Sequence, residues 1–505
     1  MQRFILKIDK YDLGFVGLLV IVLLFFNFHH YFFLPPQGVH FIRQTDSLSF
    51  VNNYYENGFH FFKPSIYNLM STNGNAACEF PIIYYFTAFL YLLFGEKEFL
   101  LKSIHLIIFL IGLFHVYKMS FLHLKNHLYA YLIPLFILSS TSLVYYSFNY
   151  LPDSAALGFA FSGWYFIYQF KDSKENKYLL FSTLFFALSS LLKVTYLVQP
   201  IAAYGMLLMV YFFSPLKTEL DKKVLKKLTL FFGGALLLVI CWNSFVLFYN
   251  SKNNSTYFTT DILPIWDLSP AERIIYWEDI LGEWYKKYLA ETSFHFFIAI
   301  GLFMLFNIRK VSISLRWNLL FLVCGSFIYF ILFFLQFRFH DYYFLLFFPL
   351  IVFLLIAFFE SFQKTILNTK GIVFFNLVAL VIIVAGLNYA RMKTAERYQN
   401  GNDSVSRIGF VLRKNILNLN RLQIPRNSKV IIGPDLSVSG GLNYLHRKGW
   451  VLNRSTDVSV EKINELKSFG ADYFIQVQDY KKYEKNLEKV GALIFKNKDL
   501  SVYKF

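Results

Sequence analysis

Apolar stretches long enough to cross a hydrocarbon core of ~30 Å recur through the chain, near residues 12–33, 99–119, 128–147, 154–170, 178–193, 196–213, 228–249, 294–308, 317–336, 341–360 and 371–389. In lipid, every backbone amide must be satisfied within its own segment, which leaves α-helices as the structure for such runs. Composition agrees: 56% of the 505 residues are hydrophobic, 62 of them Phe, and only 16% are charged, against about 25% in soluble domains. The chain reads as an α-helical polytopic membrane protein with eleven spans.

A net charge of +17 would suggest nucleic acid in a soluble protein. Here basic loops account for it, and no nucleic-acid partner is expected. Lys and Arg concentrate at the N-terminus (Arg3, Lys7, Lys10), around 118–125, at Lys171, Lys174 and Lys177, and at five lysines in 217–227. They recur at Arg309, Lys310 and Arg316 and at Lys364 and Lys370. Every second connection is basic, which predicts a cytoplasmic N-terminus. The run Pro81 to Phe94 breaks the alternation, because counting it as a span would put the 217–227 lysines outside. It is also short for a crossing, so it reads as a helix lying in the outer interface. The first span shows no small-residue cleavage site and reads as uncleaved. Cys78, Cys241 and Cys324 offer no pair to staple and no metal-ligand spacing.

Two units follow from this. Residues 1–391 form the transmembrane domain, with a first outer loop at 34–98 and a second large outer loop at 250–293 that is rich in Trp, Tyr and charge. From 392 to 505 the composition is that of a soluble domain. Lys429 to Ile432 and Asp472 to Val477 read as buried strands, Ser459 to Phe469 as a helix, and the tail from Ala492 as a hairpin around Asn497-Lys498-Asp499. A small extracytoplasmic α/β domain is the expectation.

Topology sorts the unusual polar residues onto the outer side. Asp46 and Glu79 lie in the first loop, Asp153 opens the fourth span, and Lys193 lies in the turn between spans five and six. Arg338, His340 and Asp341 lie in the turn between spans nine and ten. Acids and cations beside a bilayer cost solvation energy unless they have partners or chemistry to do. Each also has a plainer explanation. Asp153 after Pro152 suits a helix N-cap, and Lys193 suits an interfacial anchor. The stretch Arg338 to Tyr343 suits an aromatic belt, Asp46 a solvated loop acid, and Pro81 a helix start.

The run His40-Phe41-Ile42-Arg43-Gln44-Thr45-Asp46 resembles the first-loop motif of bacterial membrane glycosyltransferases of the C-type fold. These are family 39-like proteins related to protein O-mannosyltransferases and to the lipid A aminoarabinose transferase. Glu79-Phe80-Pro81, followed by an apolar stretch ending Phe94-Gly95, resembles that family's acid-Xaa-Pro segment. Many members carry Lys at the middle position, where this chain has Phe80, so that lysine's role does not carry over. Pro152-Asp153 resembles the second family acid and Leu192-Lys193 the family's later lysine.

The resemblance implies a polyprenyl-phosphate-linked sugar as donor and, as acceptor, a hydroxyl on a lipid, glycan or protein at the outer face of the bacterial inner membrane. An attacking hydroxyl needs a carboxylate to take its proton, and the aspartate after the first span, Asp46, is implied as that base. The departing lipid phosphate needs cations. Lys193 and Arg338 suit that need, with His340 or Tyr343 in support, and Glu79 and Asp153 are assigned to sugar hydroxyls or to orienting Arg43. Attack opposite the phosphate would invert the anomeric centre. No Asp-Xaa-Asp pair occurs in the first loop, and neither a metal nor another cofactor is expected. Two other readings stand beside this one: a transporter or flippase for lipid-linked saccharides, and an envelope polysaccharide polymerase or ligase.

Overall fold

A computed structural model describes residues 9–213, 222–258, 261–366, 368–399, 404–454, 458–477 and 489–505. Arg3, Lys7 and Lys217 of the basic loops lie outside them. Seven described helices have the length and hydropathy to cross a bilayer: Phe99–Leu124, Val194–Phe213, Lys222–Lys252, Glu291–Lys310, Ile313–Leu332, Asp341–Thr365 and Thr369–Arg397. With the helices Asp153–Ser173 and Asn176–Leu192 they form a multi-pass bundle. Where Phe99–Leu124 crosses Asp153–Ser173, two glycines touch. A Cβ on Gly112 would sit 2.6 Å from the Cα of Gly158, so this crossing needs the small residue on both sides.

Two expected spans are broken rather than continuous. The first runs Lys10–Phe25, capped by Asp9, and turns at Asn27 (φ 57°) into the short helix Phe28–Tyr31. Asn tolerates that left-handed conformation better than most residues. Past the short helix, Lys102 Nζ donates to Tyr31 O (2.7 Å) and Leu34 O (2.9 Å), so the carbonyls at its C-terminal end are not orphaned. The 128–147 run divides into His127–Ile137, which contains Pro134, and Thr141–Ser147, which is capped by Ser140. The apolar helix Ile82–Phe94 has 13 residues, about 20 Å at the usual rise, too short for the hydrocarbon core. Tyr84, Ala88 and Tyr91 bury one face, while Phe86, Phe89 and Leu93 are exposed on another.

Two segments depart from their expected outlines. The 250–293 loop folds in part as the amphipathic helix Pro270–Lys287, with Ile274, Ile275, Trp277 and Leu281 exposed. The last long helix does not stop where the apolar run ends; it continues through a polar turn to Arg397.

Beyond it lies a five-stranded sheet of order β2-β1-β3-β5-β4. Its strands are β1 (Val430–Gly433), β2 (Gly449–Val451), β3 (Tyr473–Val477), β4 (Ala492–Lys496) and β5 (Leu500–Lys504). β1 is parallel to β2 and β3, while β5 is antiparallel to β3 and β4. The expected strands, the Val460–Ser468 helix and the terminal hairpin are all present. β2 had no periodic signal, being three residues long.

The sheet unit is docked on the first-loop segment. Leu69 N donates to Gly449 O (2.7 Å) and Gly449 N to Tyr67 O (3.0 Å), prolonging the sheet at its β2 edge. The short helix Gly440–Leu445 packs on the first-loop helix Phe41–Glu56, and Asn443 Nδ2 hydrogen-bonds Thr45 O.

Candidate active site

Helix Phe41–Glu56 is the element on which the site is built. It starts at His40, whose φ of 57° turns the chain sharply into the helix. The approach to that turn is possible because residue 38 is Gly. Its φ is +71°, and a Cβ there would lie 1.9 Å from Arg397 O. Val39 N then donates to the same carbonyl at 3.2 Å, joining the start of this helix to the end of the last long helix.

Asp46 is fully buried on this helix. Tyr257 Oη donates to its Oδ2 at 2.8 Å, and Arg43 Nη1 stands 3.7 Å from the same oxygen. Oδ1 has no hydrogen-bond partner among the described residues. Ser439 of the sheet unit is close enough to lower the carboxyl, yet neither its Oγ nor Asp46 Oδ1 makes a hydrogen bond of ordinary geometry. Burial pushes the Asp46 carboxyl up, and Arg43 and Tyr257 pull it part of the way back, to about 7.

Glu79 has the opposite balance. Burial again opposes its charge, but Arg43 and Lys193 more than compensate and hold it at about 2. Arg43 Nη2 donates to both carboxylate oxygens, at 3.0 and 3.1 Å, and Tyr84 Oη donates to Oε1. Arg43 is therefore shared, and Glu79 holds the larger part of it. Two carboxyls driven apart in this way suit different tasks, one firmly anionic and one poised to exchange a proton.

The strand-like segment leading to Glu79 is gripped from both sides. Asn250 exchanges two hydrogen bonds with the Ala77 backbone (2.7 and 2.9 Å), and Trp242 Nε1 donates to Cys78 O (3.0 Å). Phe80 N donates to Leu191 O at 3.0 Å, at the end of the Asn176–Leu192 helix. Two residues on, Lys193 Nζ lies 3.2 Å from Asp153 Oδ2 and 5.2 Å from the ring centroid of Tyr342.

Tyr342 leads into a second cluster. Its ring meets that of His40 edge to face at 4.9 Å. Asp341 binds His40 Nε2 (3.1 Å), Arg397 Nη2 (2.6 Å) and the Tyr146 hydroxyl. The His340 ring lies 5.3 Å from that of His40. Burial depresses its imidazole to about 3, so it is neutral at physiological pH. Tyr343 stacks parallel to Tyr329 at 6.3 Å, and its backbone carbonyl accepts from the Tyr329 hydroxyl.

Of the residues expected from sequence, Asp46, Arg43 and Glu79 thus form one ion-pair chain, with the Lys193–Asp153 pair beside it, its cation helping to hold Glu79 ionised, and His340 and Tyr343 nearby. Arg338 is not part of that chain. Its Nε binds Asp279 Oδ2 at 2.7 Å on the Pro270–Lys287 helix, and its guanidinium covers Tyr276 at 4.3 Å. The pair of cations expected to hold one phosphate is thus divided, because the supposed loop folds as a helix that supplies Arg338 with its own acid. Sequence reasoning missed Tyr257, Tyr84 and Tyr146, each one Tyr among 35, and Arg397, hidden behind the end of the apolar run. Asp341 was placed in the right turn without a role. Among the described residues, no group of three His, Cys, Asp or Glu side chains is arranged to hold a metal ion.

No protein-family model matches the sequence, and no curated protein matches it either. Solved structures do. ArnT from Cupriavidus metallidurans in its apo state superimposes over 97% of both chains, with a TM-score of 0.57 at 12% identity. The same protein bound to undecaprenyl phosphate matches over 97% of this chain and 98% of that one, with a TM-score of 0.56 at 13% identity. The oligosaccharyltransferase AglB from Archaeoglobus fulgidus, in complex with an inhibitory peptide and a dolichol-phosphate, covers 93% of this chain. That match takes in 70% of AglB, with a TM-score of 0.54 at 11% identity. At these identities the likeness is one of fold, and the fold is the C-type glycosyltransferase fold expected from the first-loop residues.

Proposed function

We propose that this chain is an inverting glycosyltransferase that moves a sugar from a polyprenyl-phosphate-linked donor to an acceptor hydroxyl at the outer face of a bacterial cytoplasmic membrane. The observation that carries the reading is the state of Asp46. One carboxylate oxygen is held by Tyr257 and Arg43, and the other is buried without a partner among the described residues. A carboxyl near 7 has the affinity a general base needs at neutral pH. Oδ1 accepts the acceptor's hydroxyl proton as that oxygen attacks the anomeric carbon. The bond from that carbon to the phosphate oxygen breaks, and the lipid phosphate leaves with the electron pair. Its growing charge needs a cation, and Lys193, whose ion-pair partner among the described residues is Asp153, supplies one. Glu79 stays ionised, holds Arg43 in place and remains free to accept from sugar hydroxyls. The reading calls on no cofactor.

Two further observations support it. The fold neighbours include one structure bound to undecaprenyl phosphate and one in complex with a dolichol-phosphate. The lysine alternation in the loops supports an outer position for the Asp46 end of the bundle. The sugar and the nature of the acceptor, whether lipid, glycan or protein, are left to experiment.

The test is Asp46→Asn in purified, folded protein, assayed for sugar transfer from a polyprenyl-phosphate donor. The amide cannot take the proton, so transfer falls by at least about a hundredfold. Near-native turnover would remove Asp46 from the role. Movement of the lipid-linked sugar across vesicles with no transfer by the unaltered protein would favour a transporter.

A further inference from the structure

The junction between the first-loop segment and the sheet unit holds a cleft of about 720 Å³, within the ~300–1,000 Å³ of small-molecule sites. Its two walls are fixed to each other, since residues 67–69 hydrogen-bond the β2 edge through both Leu69 N and Gly449 N. Glu56 on its rim lies ten residues along the helix from Asp46, about 15 Å at the helical rise. The cleft is therefore separate from the ion-pair chain.

Its charges are unevenly matched. Arg426 is bound by two carboxylates, Glu56 (2.9 Å) and Glu96 (2.6 Å), so three cations, Arg426, Lys429 and Lys448, face two acids and the cleft keeps a surplus of positive charge. Lys448 Nζ meets only the neutral Asn57 Oδ1 (3.2 Å), and Lys429 Nζ meets the carbonyl of Phe469 (3.4 Å) and stands over the Trp450 ring at 6.0 Å. Neither lysine forms an ion pair among the described residues. Burial lowers the Lys448 ammonium, with Glu56 only partly offsetting it. This is the direction for a cation that lacks an adjacent anion. The cleft is lined as well by Trp450, 9% exposed, by Phe469, 56% exposed, and by Asn73 and Asn427.

Ammonium groups without an ion-pair partner, an exposed apolar ring and neutral amides together match a ring that has apolar C–H faces, hydroxyl edges and an attached anion. We propose that this cleft binds an acidic saccharide, a sugar bearing a carboxylate or phosphate, with Lys429 and Lys448 on the anion and Trp450 and Phe469 on the ring. The proposal does not depend on Asp46 being a base, and its test needs no turnover.

Full-length protein in detergent is titrated calorimetrically with trigalacturonate, glucose 1-phosphate, maltotriose and inorganic phosphate. Saturable binding of either charged sugar, at least tenfold tighter than maltotriose and inorganic phosphate, is expected, and the better of the two identifies the anion. Lys429→Gln/Lys448→Gln should weaken that binding at least tenfold. Phe469→Ala, at an exposed ring, should weaken it as well and keeps the test open where the double variant fails to fold. Three results overturn the proposal: no saturable binding of either charged sugar, equal binding of maltotriose or of inorganic phosphate, or undiminished binding by the folded variants.

Discussion

Arg43→Met separates an electrostatic account of Asp46 from a merely structural one. Arg43 Nη1 stands 3.7 Å from Asp46 Oδ2, and the carboxyl is wholly buried. At an effective dielectric of about 20, two unit charges at that separation interact by roughly 4 kcal/mol, equivalent to about 3 pKa units. The Tyr257 hydrogen bond survives the change, and local relaxation absorbs part of the loss, so a rise of about 2–3 units is expected. From its present value of about 7, the carboxyl would move to about 9–10. A raised carboxyl keeps its proton to higher pH, so the base form at pH 7 falls from about half to about 1% or less. The assay is kcat/KM for transfer between pH 5 and 10. The unaltered enzyme should show a rising limb centred near 7, Arg43→Met a limb displaced towards 9–10, and Arg43→Lys, which keeps a cation, a limb in between. Loss of rate in Arg43→Met with the limb still near 7 would refute the argument, as would a flat profile for the unaltered enzyme across pH 5.5–8.5.

Lys193→Ala should weaken donor use by roughly ten- to hundredfold, the worth of one charge-assisted phosphate contact. Arg338→Ala, whose partner Asp279 is 45% exposed, should cost less than about fivefold; equal effects in a donor titration would contradict the division of the two cations. Arg397→Ala strands Asp341, whose side chain is 7% exposed, and should cost about 3–5 kcal/mol, seen as a lowered unfolding temperature. Arg397→Met/Asp341→Asn removes both charges and should recover most of the loss, whereas a single variant that melts like the parent would show that Asp341 does not rely on Arg397. Gly38→Ala forces a Cβ against Arg397 O at a cost of the order of 1–3 kcal/mol. It should lower the unfolding temperature and turnover together, and unchanged values of both would show that the turn tolerates a side chain.

How much was legible in the sequence follows from which signals are local. Long apolar runs are local, so the long spans emerged with softened ends, and so did Val430–Gly433 and Tyr473–Val477, whose neighbours are turn residues. Asp46, Glu79, Asp153 and Lys193 were legible because an ionic side chain at a bilayer edge is rare enough to stand out. The breaks at Asn27 and after Pro134 are set by single residues, a left-handed Asn27 and the Ser140 cap, inside runs of apolar neighbours. They left an apolar run that looks continuous. The pairing of Arg338 with Asp279 was equally hidden. Its acid lies on a helix where Ile274, Ile275, Trp277 and Leu281 alternate with charge, a pattern that in sequence looks like a loop. Arg397 lay hidden because a helix can outlast its hydrophobicity, and composition marks the edge of lipid rather than the end of hydrogen bonding.

The contacts that complete the site come from residues made long after the helix that bears it. Thr45 O is bonded by Asn443, 398 positions later, and Val39 by the carbonyl of Arg397. At about 5–20 residues per second, the ribosome needs roughly 20–80 s to travel from the codon for Thr45 to that for Asn443. Throughout that interval the helix bearing Asp46 is present but uncovered. A prematurely terminated chain that reached the membrane would carry Arg43, Asp46 and Glu79 and lack what holds their helix in register. Assembly of the site therefore waits on residues 397–443, which act as a latch on the helix that begins at Phe41.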